Sequence, residues 1–154
     1  MNRAAEVRRS GQEILGDQEI ESFTYVVNHL CLIDPWTKNL SPETKQVLTE
    51  SEEHAFEMAR HAVDLHDARF AESIQILGEY FDDKKSLDRA EWLYRQTLAL
   101  AKPIAQYRRL ITRTKEKLAA LLEKRANTAA DSGNAEKAAA CYREVLQIRR
   151  EISP

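Results

Sequence analysis

The densest cluster of side chains able to bind or react lies on one segment: His54, Glu57, His61 and Asp64, at successive steps of three, four and three. On an α-helix those steps bring all four to one side, as a divalent cation would require. A metal centre also needs a shielded shell, and no second segment offers a matching set of ligands or a Glu-x-x-His pair. The four are therefore read as a solvated helix face, and no metal is expected. Cys31 and Cys141 lie far apart and neither belongs to a C-x-x-C pair. That argues against a zinc site or disulfide framework and for reduced, buried or half-buried thiols. No Gly-rich phosphate loop, G-x-S-x-G elbow or H-E-x-x-H is present, so no residue is nominated for catalysis and no cofactor is implied.

Two further groups have chemical potential. Trp92 and Tyr94 would suit a ligand pocket, but aromatic residues at helical spacing more often fill a core. Arg108, Arg109, Arg113, Lys115 and Lys117 would suit phosphates, yet one aromatic alone is interleaved with them and the chain carries a net charge of −2. That balance argues against a nucleic-acid interface. The charge is unevenly spread: residues 41–91 hold six Lys/Arg against thirteen Asp/Glu, whereas residues 103–126 hold seven against two. Such blocks are usually solvated faces; the sharper alternative is a polarised partner surface, or two copies meeting acidic to basic.

The elements that position these groups follow from composition and periodicity. With four Gly and four Pro in 154 residues, and abundant Ala, Leu, Glu, Lys and Arg, the chain is expected to be all-α, in a single domain or short solenoid. No apolar run is long enough to span a membrane, and the N-terminus lacks the apolar core of a secretory signal, which together suggest a cytoplasmic protein.

In chain order, a weak first helix over 2–15 is expected, then a break at Gly16-Asp17. A second helix capped by Asp17 carries Ile20, Phe23, Val26, Val27 and Leu30 on a core face and ends at Asp34-Pro35-Trp36. Ser41-Pro42-Glu43 combines an N-cap, a proline in the first turn and an acid suited to the helix dipole, so a helix should run from there to about Leu65. Ala71 to Pro103 reads as one complete helix-turn-helix unit, with DDKKS as the turn between its two helices and Ser86 as the N-cap of the second. After Pro103 a single helix of nearly thirty residues is the simplest reading, up to Gly133, and a last helix is capped by Asn134.

Within the central unit, Ile74, Leu77-Gly78, Phe81, Ala90, Tyr94 and Pro103 follow a spacing that resembles the tetratricopeptide (TPR) repeat. Gly78 and Ala90 are small enough for two antiparallel helices to approach, while Leu77, Phe81 and Tyr94 fill the space between them. Ala55, Ala59, Ala62-Val63 and Leu65 echo the second helix of such a unit, as do Ala138, Tyr142, Val145-Leu146 and Ile148. DRAEWLYRQTLAL and AEKAAACYREVLQI look similar to the kinesin-light-chain type of repeat. Ala90 and Ala138 stand forty-eight residues apart, so the array cannot be regular there. The resemblance divides the chain into N-terminal helices (1–40), a degraded repeat helix (41–66), a complete unit (67–103) and an extended second unit (104–154), stacked as a short superhelix.

The resemblance implies a scaffold that binds a peptide or helical segment of another protein in a concave groove. By correspondence Glu72, Gln75, Glu79, Asp82 and Asp83 would line that groove, with Lys124 and Asn127 from the degraded unit. Acids dominate, so a basic or amphipathic segment is the expected ligand rather than an acidic C-terminal peptide. The alternative is a small homo-oligomeric secretion-type chaperone or structural subunit. No cap follows the last helix, whose own packing should hide Ala138, Tyr142 and Val145. That should leave Leu146, Ile148 or Ile152 partly exposed, to meet a second copy or the partner.

Overall fold

The computed structural model describes residues 2–33 and 40–153, with side chains for residues 17–32 and 40–153. These residues form six α-helices: α1 (Asn2–Ile33), α2 (Pro42–Asp64), α3 (Ala71–Asp83), α4 (Leu87–Ala101), α5 (Arg108–Asp131) and α6 (Ala135–Ile152). Single 3-10 turns at Ala68–Phe70 and Ala105–Tyr107 lead into α3 and α5. No strand occurs among the described residues, so the fold is all-α. The chain divides into two compact units, Met1–Ser73 and Ile74–Pro154.

In the first unit the expected break at Gly16-Asp17 does not occur: α1 is one helix of 32 residues. An isolated glycine costs about 1 kcal/mol relative to alanine, a weakening that a long helix tolerates. Asp17 does not cap; its carboxylate pairs instead with Arg69. α1 is described as far as Ile33, and Asp34-Pro35-Trp36, where the helix is expected to end, lies outside the described residues. Phe23, Val27 and Leu30 are buried, with Ile20 and Val26 half-buried, as their spacing requires. Ser41 caps α2, its Oγ accepting from Thr44 N at 3.3 Å with Pro42 in the first turn, and the helix runs to Asp64. Asp67 then caps the 3-10 turn by accepting from Arg69 N at 2.9 Å. The Asp17–Arg69 pair and the Phe23 and Phe70 rings, which meet edge to face at 6.1 Å, hold this turn to α1, and the Ser73 hydroxyl at the start of α3 lies 2.9 Å from that of Thr24.

In the second unit α3 and α4 form an antiparallel hairpin in which Gly78 packs closely against Tyr94 and Leu93. Ile74, Leu77, Phe81, Leu93 and Tyr94 are fully buried, and the Tyr94 hydroxyl donates to Asp82 at 3.0 Å. Tyr94 is thus core, while Trp92 is half-buried. The turn departs from expectation, because Ser86 makes no side-chain cap. Lys85 takes φ 62° instead, with Ser86 N donating to Phe81 O at 2.8 Å and Lys85 N to Asp82 O at 2.9 Å, the paired bonds of a Schellman motif.

The segment after Pro103 is not one helix of nearly thirty residues. Ile104 is extended, a 3-10 turn follows, and α5 begins at Arg108 and spans 24 residues. Proline supplies no N–H and pushes the chain to open with a turn before the regular helix can propagate. The α5–α6 turn repeats the α3–α4 turn: Gly133 takes φ 78°, Asn134 N donates to Ala129 O at 2.8 Å and Gly133 N to Ala130 O at 3.0 Å. Asn134 caps α6 as expected, accepting from Lys137 N at 3.2 Å.

Candidate functional site

The groove expected along α3 is largely engaged by the chain itself. Glu79 accepts from Arg113 at 2.9 Å and lies 3.5 Å from Lys117, and Asp82 takes the Tyr94 hydroxyl together with Lys124 at 3.4 Å. One turn further on, Arg125 pairs with Asp88 and Glu91 of α4. Later residues of α5 meet later residues of α3, so these two helices run parallel, and four cations of the basic block, Arg113, Lys117, Lys124 and Arg125, are matched to the acids at 79–91 within a single molecule. Gln75 is only 2 % exposed and therefore part of the interior. Glu72 and Asp83 remain exposed. Asn127 accepts the Tyr142 hydroxyl, and Lys124 is committed to Asp82. Burial and competition from α5 thus remove all but two of the seven expected groove residues from ready contact.

Along α6 the three interface candidates separate. Leu146 is 55 % exposed and Ile152 half-buried, but Ile148 is 7 % exposed and so belongs to the interior. Tyr142, expected to be hidden, is 39 % exposed. Positions 138, 145, 148 and 152 fall within one arc of about 80° at 100° per residue, whereas 142 and 146 lie on its flank. Arg143 and Arg150 adjoin that flank and make no ion pair among the described residues. Cys31 is exposed, against expectation, because its position falls off the Phe23, Val27 and Leu30 stripe; Cys141 is half-buried.

The open surface lies instead along the seam between α1 and α2. The buried face of α2 is built from Ala55, Ala59 and Ala62, whose small side chains leave room beside the larger Phe23 and Phe70. A cleft of about 490 Å3 results, floored by Phe23, Met58, Ala62 and Phe70 and rimmed by Gln18, Glu19, His54, Glu57 and His61. His61 Nε2 faces Glu19 Oε2 across it at 3.5 Å. A second cleft of about 280 Å3 shares His54 and continues between Tyr25, His29 and Leu30 of α1 and Val47, Glu50 and Ser51 of α2. From Gln18 to Leu30 the two cover about 18 Å of helix. Their walls include three glutamates and three histidines and no Lys or Arg. Arg60 of α2 is exposed and pairs with Glu57 at 3.3 Å.

His54, Glu57 and His61 thus rim a cleft rather than a solvated face alone. Among the described residues, no group of three or more His, Cys, Asp or Glu is arranged to hold a metal ion. The seam had a partial signal in the sequence, the helical spacing of Phe23, Val27 and Leu30. The pairing of α1 with α2 had a weaker one: no turn precedes α2 where a repeat would place it, which leaves its partner helix either missing or replaced by the helix from Asp17 to Asp34. No protein-family model, curated protein or solved structure matches the chain.

Proposed function

We propose that this chain is a non-catalytic scaffold of TPR-like helical hairpins that binds a basic or amphipathic segment of a protein partner. The observation that carries the reading is the α1–α2 seam: elongated, open, apolar in its floor and acidic at its rim. Apolar side chains projecting from a helix every three or four residues would fill the floor, and flanking Lys or Arg would meet Glu19, Glu50 and Glu57. The equivalent turns at Lys85 and Gly133, forty-eight residues apart, support the repeat character. No helix among the described residues is long and apolar enough to cross a membrane, and two cysteines outside any disulfide suit the reducing cytoplasm in which we place the protein.

Calorimetric titration with two peptides tests this reading. One is a Leu/Lys amphipathic helix, the other an acidic peptide with a free C-terminal carboxylate. Binding of the Leu/Lys helix, weakened by Glu57→Lys with Glu50→Lys, is expected. Binding of the acidic peptide alone would sink the reading. Affinity capture followed by mass spectrometry then identifies the partner.

A further inference from the structure

We infer that the α1–α2 seam of one copy receives the exposed flank of α6 of a second copy, so that chains associate head to tail. The inference rests on the seam being a protein-binding groove and adds the occupant. Two surfaces on opposite parts of the sequence are complementary in shape class and in sign. The receiving surface is concave, apolar and lined by glutamates, with Tyr25 at 67 % and Val47 at 61 % exposure standing on its lips. The entering surface is a convex helix flank on which Tyr142 and Leu146 stand one turn apart. Arg143 and Arg150 border it, and neither has an ion-pair partner among the described residues.

Size agrees as well as sign. Tyr142 to Arg150 spans about 12 Å of helix, within the roughly 18 Å of the seam, and a ridge spaced at four residues is what a groove between two helices accepts. Neighbouring residues of α6 are already committed within the chain: Ala138, Val145 and Ile148 are buried, Arg149 pairs with Glu123 and Glu151 with Lys115. The flank therefore reaches a neighbour without α6 leaving its own unit. Donor and acceptor surfaces differ, so the contact is heterologous. Each added copy presents a new vacant seam, and growth continues beyond a dimer unless a ring closes.

Sedimentation velocity from micromolar to near-millimolar protein tests this on wild type, Val47→Glu and Leu146→Glu, each checked for native helicity and melting. Wild type should gain mass with concentration. Each variant should need at least a ~10-fold higher concentration to do so, as expected for losing a central apolar anchor. An equimolar mixture of the two should form two-chain species and stop, because each variant keeps one intact surface. Charge reversal supplies a second route that leaves the apolar residues alone. Arg143→Glu with Arg150→Glu should abolish association, and mixing that protein with Glu50→Lys, Glu57→Lys should restore it. A wild type that stays monomeric overturns the inference, as do variants that associate unchanged or a mixture no heavier than its components. Monomeric wild type that still binds the Leu/Lys helix removes this inference alone; failure of both removes the seam as a binding groove.

Discussion

Tyr94 lies so close to Gly78 that a Cβ built on the glycine would stand 2.8 Å from ring carbon Cε1 and 2.9 Å from Cδ1. The ring is fully buried and cannot swing aside. Gly78→Ala gains about 1 kcal/mol in helix propensity but incurs about 1–3 kcal/mol of overpacking, so a net loss of about 1 kcal/mol is expected in urea melts. Adding Tyr94→Leu makes room for the methyl group. The double variant should therefore lose less than the sum of the two single losses.

The two Schellman turns predict substitutions of opposite sign. Lys85 has φ 62°, a conformation that costs a side-chain-bearing residue about 1 kcal/mol, so Lys85→Gly should raise the thermal midpoint or leave it unchanged. Gly133 has φ 78° with nothing within 4 Å of a built Cβ, so Gly133→Ala should be destabilising by about 1 kcal/mol through backbone strain alone. A stabilising Gly133→Ala in differential scanning calorimetry would contradict the turn geometry.

Glu79 separates the groove expected on α3 from the ion pairs observed there. If it serves Arg113 and Lys117, Glu79→Gln should lower stability by about 1 kcal/mol or less, and added salt should shrink the difference. Affinity for the Leu/Lys helix should not change. A large affinity loss with unaltered stability would return Glu79 to the binding groove.

Asp67 gives a pH dependence of known sign. Hydrogen bonds from the Arg69 side chain, outweighing partial desolvation, hold its carboxyl below the usual range. A depressed native value means that the stabilisation is fully present above the unfolded carboxylate pKa of about 4 and is lost as pH falls through the lower native value. Asp67→Asn should therefore be less stable than wild type in urea melts at neutral pH, with the gap closing in acid. A gap that persists below both values would mean that Asp67 acts through shape rather than charge.

Much of the architecture was legible because local signals were strong. Ser41-Pro42-Glu43 and Asn134 start helices where expected, and the Gly78–Tyr94 contact is the close approach that the small residue implied. Signals that depended on a competitor were misread. Gly16 was too weak a breaker on its own, and Ser86 lost its cap to a backbone turn. Ile148 was drawn into the buried arc of α6, while Tyr142 was left on its flank. The site was less legible than the fold, because correspondence between positions says where a side chain would project and not whether another helix has already claimed it. The acidic and basic blocks were visible in the sequence; that they meet within one chain depends on α5 lying alongside α3, which no local spacing encodes.

α5 is fastened to α3 through Glu79 and Asp82, to α4 through Asp88 and Glu91, and to α6 through Glu151 and Arg149. A string of helical hairpins ordinarily frays from its ends, each pair opening with little regard for the next. Here α5 bridges the two hairpins of Ile74–Pro154, so the α3–α4 hairpin opens only if one of its helices also leaves α5. Coupled melting of this half of the chain is the expected consequence, with the backbone amides of α5 among the last to exchange with solvent.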